Sequence, residues 1–342
     1  VRRRREGLGG TVHCGTRVER IVVRAGKALG VRTADGQYHA ASKAVLADVA
    51  ATSLYGGLVD WDALPPRARA DLRRFQWDFS TFKVDWALNG VIPWSAPAAA
   101  PAGTVHLGAD MNELSDYALQ VSTHRLPARP FLLLGQMTTA DPTRSPVGTE
   151  SAWAYTHVPQ RISADLGTDA ITGSWDTREA EAMADRIEYQ VERFAPGFRD
   201  RIAARRILTP AALNALDENL VGGALNGGTT AIHQQLMFRP IPGTGRPETP
   251  VQRLYLASAS AHPGGGVHGA CGANAARAAL QFAAEQRRER GEREERAATG
   301  LERHPGVIGA GDGDRDRHRR HAGWRRAAAA RRRQGRGGGG AG

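Results

Sequence analysis

Apolar positions change their period several times along this 342-residue chain, and each change marks an element. Near the start, Val18, Ile21 and Val23, then Leu29 and Val31, alternate with polar residues, with Gly26-Lys27 and Asp35-Gly36 as turns. Alternation punctuated by glycine predicts a small β-meander, and a buried strand follows at Ala44 to Ala47. Thr81 to Leu88 and Ala152 to Val158 read as strands, Phe131 to Gln136 as a short buried one. The period then lengthens. Met183, Ile187, Val191 and Phe194 form one stripe behind the capping-box sequence Asp176-Thr177-Arg178-Glu179, and Pro196-Gly197 closes that helix. Thr209-Pro210 opens another, a cap followed by a first-turn proline.

Residues 254–280 carry the candidate chemistry. A short apolar strand, Leu254 to Leu256, leads through a glycine-packed loop into an alanine-rich helix from Ala270. The first N–H groups of a helix lack internal partners and carry about half a positive charge from the macrodipole. Gly264, Gly265, Gly266 and Gly269 remove the Cβ atoms that would keep an electronegative ligand from the main chain. A tight strand-to-helix turn would also account for glycines here; the identity of the whole run says more.

That run, with His262-Pro263-Gly264-Gly265-Gly266 at its centre, resembles the carboxy-terminal flavin motif of the phytoene desaturase-like branch of the FAD-dependent amine oxidase superfamily. The branch named for pyridine nucleotide-disulfide oxidoreductase domain proteins resembles it equally. The resemblance implies that the main chain of Gly264, Gly265, Gly266, Val267, His268 and Gly269 faces the ribityl chain and pyrimidine end of FAD. Residues 9–48 are similar to a family insertion in which the valine at the Val18 position lies against the adenine; as plain sequence, Val18 is a strand valine. Leu220 to Pro240 is similar to a family segment beside the flavin and the substrate channel.

Family members open with a βαβ unit whose GxGxxG glycines hold the FAD pyrophosphate. No such unit opens this chain, which begins VRRRREGLGG and resembles the middle of the family sequence, so a fragment is expected. The run Val307 to Arg317 places Gly309, Gly311 and Gly313 at GxGxG spacing, but charged residues stand where an apolar-faced helix is required.

The formal charge of +11 changes meaning once it is located. Residues 1–6 hold net +3 and residues 285–342 net +7, which leaves the body near neutrality. No specific nucleic-acid partner is therefore expected. From Glu285 onward only Leu301, Val307, Ile308 and Trp324 are large and apolar, too few to offset the entropy of ordering. Disorder is expected there beyond a turn or two of the Ala270 helix. A solvated tail, nonspecific polyanion binding and a changed reading frame all suit its Arg, Gly and Ala content.

Cys14 and Cys271 are too few for a disulfide framework, which suits a reducing, cytoplasmic compartment. The cluster His262, His268 and Cys271 lacks a fourth ligand at recognisable spacing, so no metal is expected. No GxSxG elbow and no membrane-length apolar window is present; an apolar substrate would still allow peripheral membrane contact. His233 and Lys83 are the weak candidates for acid or base, against a hydrogen-bonded core histidine and a snorkelling strand lysine.

The reading is an α/β chain: a partial FAD-binding Rossmann-like domain with a mixed-sheet α+β substrate domain. Residues 1–56 supply the later part of the FAD domain, 57–213 the substrate domain, 214–284 the C-terminal FAD segment and 285–342 the tail. The resemblance implies hydride transfer from an apolar or small organic substrate to flavin, removed from a C–C, C–O or C–N unit. A non-catalytic remnant or a basic-tailed interaction protein is the competing class. Substrate and oligomeric state are not legible.

Overall fold

A computed structural model of the chain describes residues 2–108 and 110–298. The Val307 to Arg317 run and the tail from residue 299 lie outside them. Contacts divide the chain into two units, Val1–Ala284 and Glu285–Gly342. The chain is α/β, with several sheets.

The meander forms as its alternation predicts. β1 (Val18–Arg24), β2 (Lys27–Thr33) and β3 (Tyr38–Ala40) make an antiparallel sheet. The first turn is placed one residue earlier than expected: Ala25 and Gly26, both at positive φ, make it, and Lys27 already belongs to β2. β4 (Val45–Ala47) pairs in parallel with the last strand, across about two hundred residues of sequence.

Between them lies a five-stranded antiparallel sheet. β5 (Ser80–Leu88), β6 (Thr104–Leu107), β8 (Leu132–Gln136), β9 (Glu150–Val158) and β11 (Ile202–Leu208) run in the order β11-β5-β9-β8-β6. β7 (Arg125–Leu126) and β10 (Ala164–Asp165) form a small parallel pair beside it in sequence. Phe82, Val84, Trp86 and Leu88 of β5, with Leu132 and Leu134 of β8, pack into one core with Met183, Ile187 and Val191 of the helix Thr177–Glu192. Burial on one face and half-burial on the other follow from the period-two alternation of strand side chains.

That helix starts as predicted but its cap is wired differently. The Asp176 carboxylate accepts from the Glu179 N–H, the expected half of a capping box. Glu179 does not reach back to the Asp176 N–H; its buried carboxylate instead accepts from the N–H groups of Thr172, Gly173 and Trp175 and from the Thr172 hydroxyl. The helix also ends sooner than Pro196-Gly197, at Glu192, whose carboxylate accepts from the N–H groups of Gly197 and Arg199 beyond it. Phe194 lies beyond the last turn, half-buried.

β12 (Leu254–Leu256) completes the pair with β4, and residues around it form a second core with Ile21, Leu54, Tyr55, Leu64 and Cys271. The helix Ala270–Ala298 extends past Glu285 by far more than the expected turn or two. Its charges explain this: Glu289 and Arg293, Glu292 and Arg296 stand four residues apart, one turn of a helix.

Candidate functional site

The small residues after β12 are required by close packing. The Ala257 N–H continues the pairing to the Ala47 carbonyl at 2.8 Å, and the Ser258 hydroxyl donates to the Val49 carbonyl at 2.6 Å. Ser260, wholly buried, donates to the Gly227 carbonyl at 2.7 Å and accepts from the Ala51 N–H at 3.0 Å. Three segments distant in sequence, near residues 50, 227 and 259, are thereby fixed to one another.

Behind the glycine loop lies Arg239, 1% exposed. Its guanidinium donates only to main-chain carbonyls: Nε to Ala259 at 3.0 Å, Nη1 to Thr229 at 3.1 Å, Nη2 to Ala259 at 2.7 Å and to Asn226. Burial lowers its pKa, and the neighbouring Cys271 and Asp78 oppose that shift. A Cβ on Gly264 would come within 3.1 Å of Arg239 Nε, and one on Gly265 within 2.7 Å of Asn226 Oδ1. The Asn226 amide in turn donates to the Asp78 carboxylate.

Gly264, Gly266 and Gly269 have φ of +107°, +149° and +63°, conformations that favour glycine. Among the described residues, the N–H groups of residues 264–269 donate to no group of the chain, so the loop presents a run of free donors. Gly265 to Gly269 are exposed, Val267 fully so. The loop is held at its far end by His268, whose Nδ1 accepts from the Ala270 N–H at 3.0 Å, and by the Cys271 thiol, which donates to the Ala261 and Gly264 carbonyls. A free, exposed donor run at a helix start, in a cradle that Cβ atoms would fill, fits the electronegative edge of a ligand such as flavin.

The glycines 264, 266 and 269 stand at GxGxxG spacing, which the reading of the sequence passed over. Their setting differs from a dinucleotide fingerprint. The strand ends at Leu256 and residues 257–263 intervene, whereas in the fingerprint the first glycine turns directly off the strand.

The other sequence candidates have other neighbours. Val18 opens β1 opposite Thr33, half-buried, and lines a cavity of about 740 Å³ with Val49, Thr52, Gly56, Gly57 and Glu218; residues 264–269 do not line it. His233 is exposed, its Nε2 3.0 Å from Gln76 Oε1. Lys83 is half-buried on β5, paired with Asp85 and 5.9 Å from the Trp153 ring centroid. Arg239, Asn226 and Asp78 were not anticipated. No helix among the described residues is long and apolar enough to cross a membrane.

No family model matches the chain. Pyridine nucleotide-disulfide oxidoreductase domain-containing protein 2 of Rattus norvegicus is 33% identical over 54% of this chain and 31% of its own length. The Mus musculus protein of that name is 29% identical over 73% of this chain and 43% of its own length. A lycopene-forming phytoene desaturase of Pseudescherichia vulneris is 30% identical over 80% of this chain and 52% of its own. A solved oxidoreductase of Methanosarcina mazei superposes with a TM-score of 0.46 at 16% identity, over 81% of this chain and 51% of its own. The chain spans between about a third and a half of the length of these curated relatives. By these matches it is a homologue of the phytoene desaturases and of pyridine nucleotide-disulfide oxidoreductase domain-containing protein 2.

Proposed function

We propose that this chain is part of an FAD-dependent oxidoreductase, in which the loop 264–269 and the start of the Ala270–Ala298 helix hold the flavin ring system. The observation that supports it most is the run of free N–H groups from Gly264 to Gly269, backed by the buried charge of Arg239. The flavin, when bound, would supply the hydride-accepting chemistry. The chain supplies the rest: N–H donors for the electronegative atoms of the ring, a helix dipole that favours negative charge there, and glycines that allow the approach. The substrate is an apolar or small organic molecule, taken from the cytoplasm or a membrane surface.

The GxGxxG spacing favours a second reading, in which the same donors hold a dinucleotide pyrophosphate. Calorimetric titration of the purified chain with riboflavin, FAD and ADP separates the two. The ring reading expects riboflavin and FAD to bind and ADP not to. The pyrophosphate reading expects ADP and FAD to bind about 10³-fold more tightly than riboflavin, since roughly three charge-assisted hydrogen bonds are at stake. Gly272→Asp adds a control. A Cβ there meets nothing within 4 Å, and a carboxylate in the first helical turn complements the dipole, so the empty fold should keep or raise its Tm. Flavin affinity should fall. Flavin bound equally well by this variant, or by neither protein, contradicts the proposal.

A further inference from the structure

The carbonyls that flank the glycine loop are engaged within the chain. Arg239 takes those of Asn226, Thr229 and Ala259, the Cys271 thiol those of Ala261 and Gly264, and the Ser260 hydroxyl that of Gly227. The loop itself presents donors. Besides its free N–H groups there is the His268 imidazole, whose Nε2 lies 2.8 Å from the position of a Cβ on Gly266. Because His268 Nδ1 accepts from the Ala270 N–H, Nε2 carries the ring proton and is a donor too.

Beside these donors stands an acceptor. Asn226 is half-buried, and its Oδ1 lies 2.7 Å from the position of a Cβ on Gly265. Hydrogen-bond chemistry fixes which way this amide points. Its Nδ2 donates to the Asp78 carboxylate, which has only acceptors to offer, so Oδ1 is left to face the loop. Asp78 is itself held in place, 8% exposed, with its other oxygen accepting from the Phe79 N–H at 3.0 Å. Among the described residues nothing donates to Asn226 Oδ1, and the atom is open to solvent. It is an aligned, unused acceptor next to a run of unused donors.

We infer that Asn226 Oδ1 accepts from the imide N3–H of the flavin's pyrimidine ring, and so makes the site selective for that edge. The edge alternates carbonyl, N–H, carbonyl, and its complement is an acceptor accompanied by donors. The loop N–H groups and His268 supply the donors, and Asn226 supplies the acceptor. A pyrophosphate carries acceptors only, and Oδ1 would repel its oxygens. The inference rests on the flavin reading, and within that reading it assigns the recognition of N3 to one side chain and its orientation to Asp78.

The test is calorimetric titration of the purified full chain with riboflavin and with N3-methylriboflavin, which has a methyl in place of the imide hydrogen. Wild type should bind riboflavin about tenfold more tightly than the methylated ring, the worth of one well-made hydrogen bond. Asn226→Ala removes the acceptor and leaves room for the methyl, so the two affinities should come within about twofold of each other. An asparagine with only a structural role would weaken both ligands together and keep their ratio. Equal binding of the two flavins by wild type overturns the inference and leaves the flavin reading standing. A preference that survives in Asn226→Ala does the same, because another group would then be reading N3. If wild type binds neither flavin, the flavin reading falls and the inference falls with it. The wild-type comparison needs no variant, so it decides the matter even if Asn226→Ala does not fold.

Discussion

Replacing Arg239 tests how the site is held together. The side chain makes four hydrogen bonds to three carbonyls, those of Asn226, Thr229 and Ala259, and ties the 226–229 segment to the step that precedes the glycine loop. Arg239→Met would leave those three carbonyls without their donor, at about 1–3 kcal/mol for each that stays buried. Two effects oppose the loss. A buried guanidinium bears a desolvation penalty of several kcal/mol, and the methionine keeps much of the apolar packing. A net loss of about 3 kcal/mol is the expected balance, or roughly 6–12 °C in Tm for a unit of this size. Arg239→Lys discriminates further. An ammonium retains the charge but cannot reproduce a planar fork reaching three carbonyls, so it should lose nearly as much as methionine. Urea unfolding followed by tryptophan fluorescence gives the free energies. A methionine variant within about 1 kcal/mol of wild type would refute the reasoning; a lysine variant fully as stable as wild type would show that charge, and not the fork, matters.

Glu179 gives a pH-dependent prediction. Burial works to raise its pKa, but bonds from Thr172 and Trp175 hold the carboxyl down at about 2, below its ordinary 4.5. A depressed carboxylate stabilises the fold fully above its unfolded pKa and loses that contribution as pH falls through the folded one. Glu179→Gln should therefore cost about 3 kcal/mol at pH 7. The gap from wild type should narrow between about pH 5 and pH 2; a gap constant over that range in denaturant titrations would contradict the assignment. Deleting residues 285–342, which carry net +7, should leave the Tm of the remaining unit nearly unchanged while lowering the salt at which the protein elutes from heparin. A Tm lowered by several degrees would show that the apolar poverty of that segment misleads.

The regular elements were legible because each satisfies a local rule. The alternation in Thr81 to Leu88 has only one arrangement that buries Phe82, Val84, Trp86 and Leu88 together, and Thr209-Pro210 caps the helix it starts, the threonine hydroxyl accepting from the Ala212 N–H. The strand, small-residue step and helix around residues 254–280 were legible for the same reason. What holds the loop was not. Arginine is ordinarily a surface residue, so nothing local marks Arg239 as buried. Asn226 and Asp78 meet across 148 residues of sequence, a pairing set by tertiary packing. Glu179 was half legible: its place in the cap followed from spacing, but the choice of Thr172, Gly173 and Trp175 as its donors depends on how the preceding segment folds back.

The central claim is that the free N–H groups of the glycine loop face a flavin, and amide chemical shifts report on it residue by residue. The chain is labelled with 15N-glycine, its glycine resonances are assigned, and riboflavin is titrated in. The account predicts that Gly264, Gly265, Gly266 and Gly269 shift together along one binding curve. Gly148 and Gly197, in turns with open space around them, should stay in place. Binding that moves other glycines and leaves the four loop signals unmoved would contradict the account.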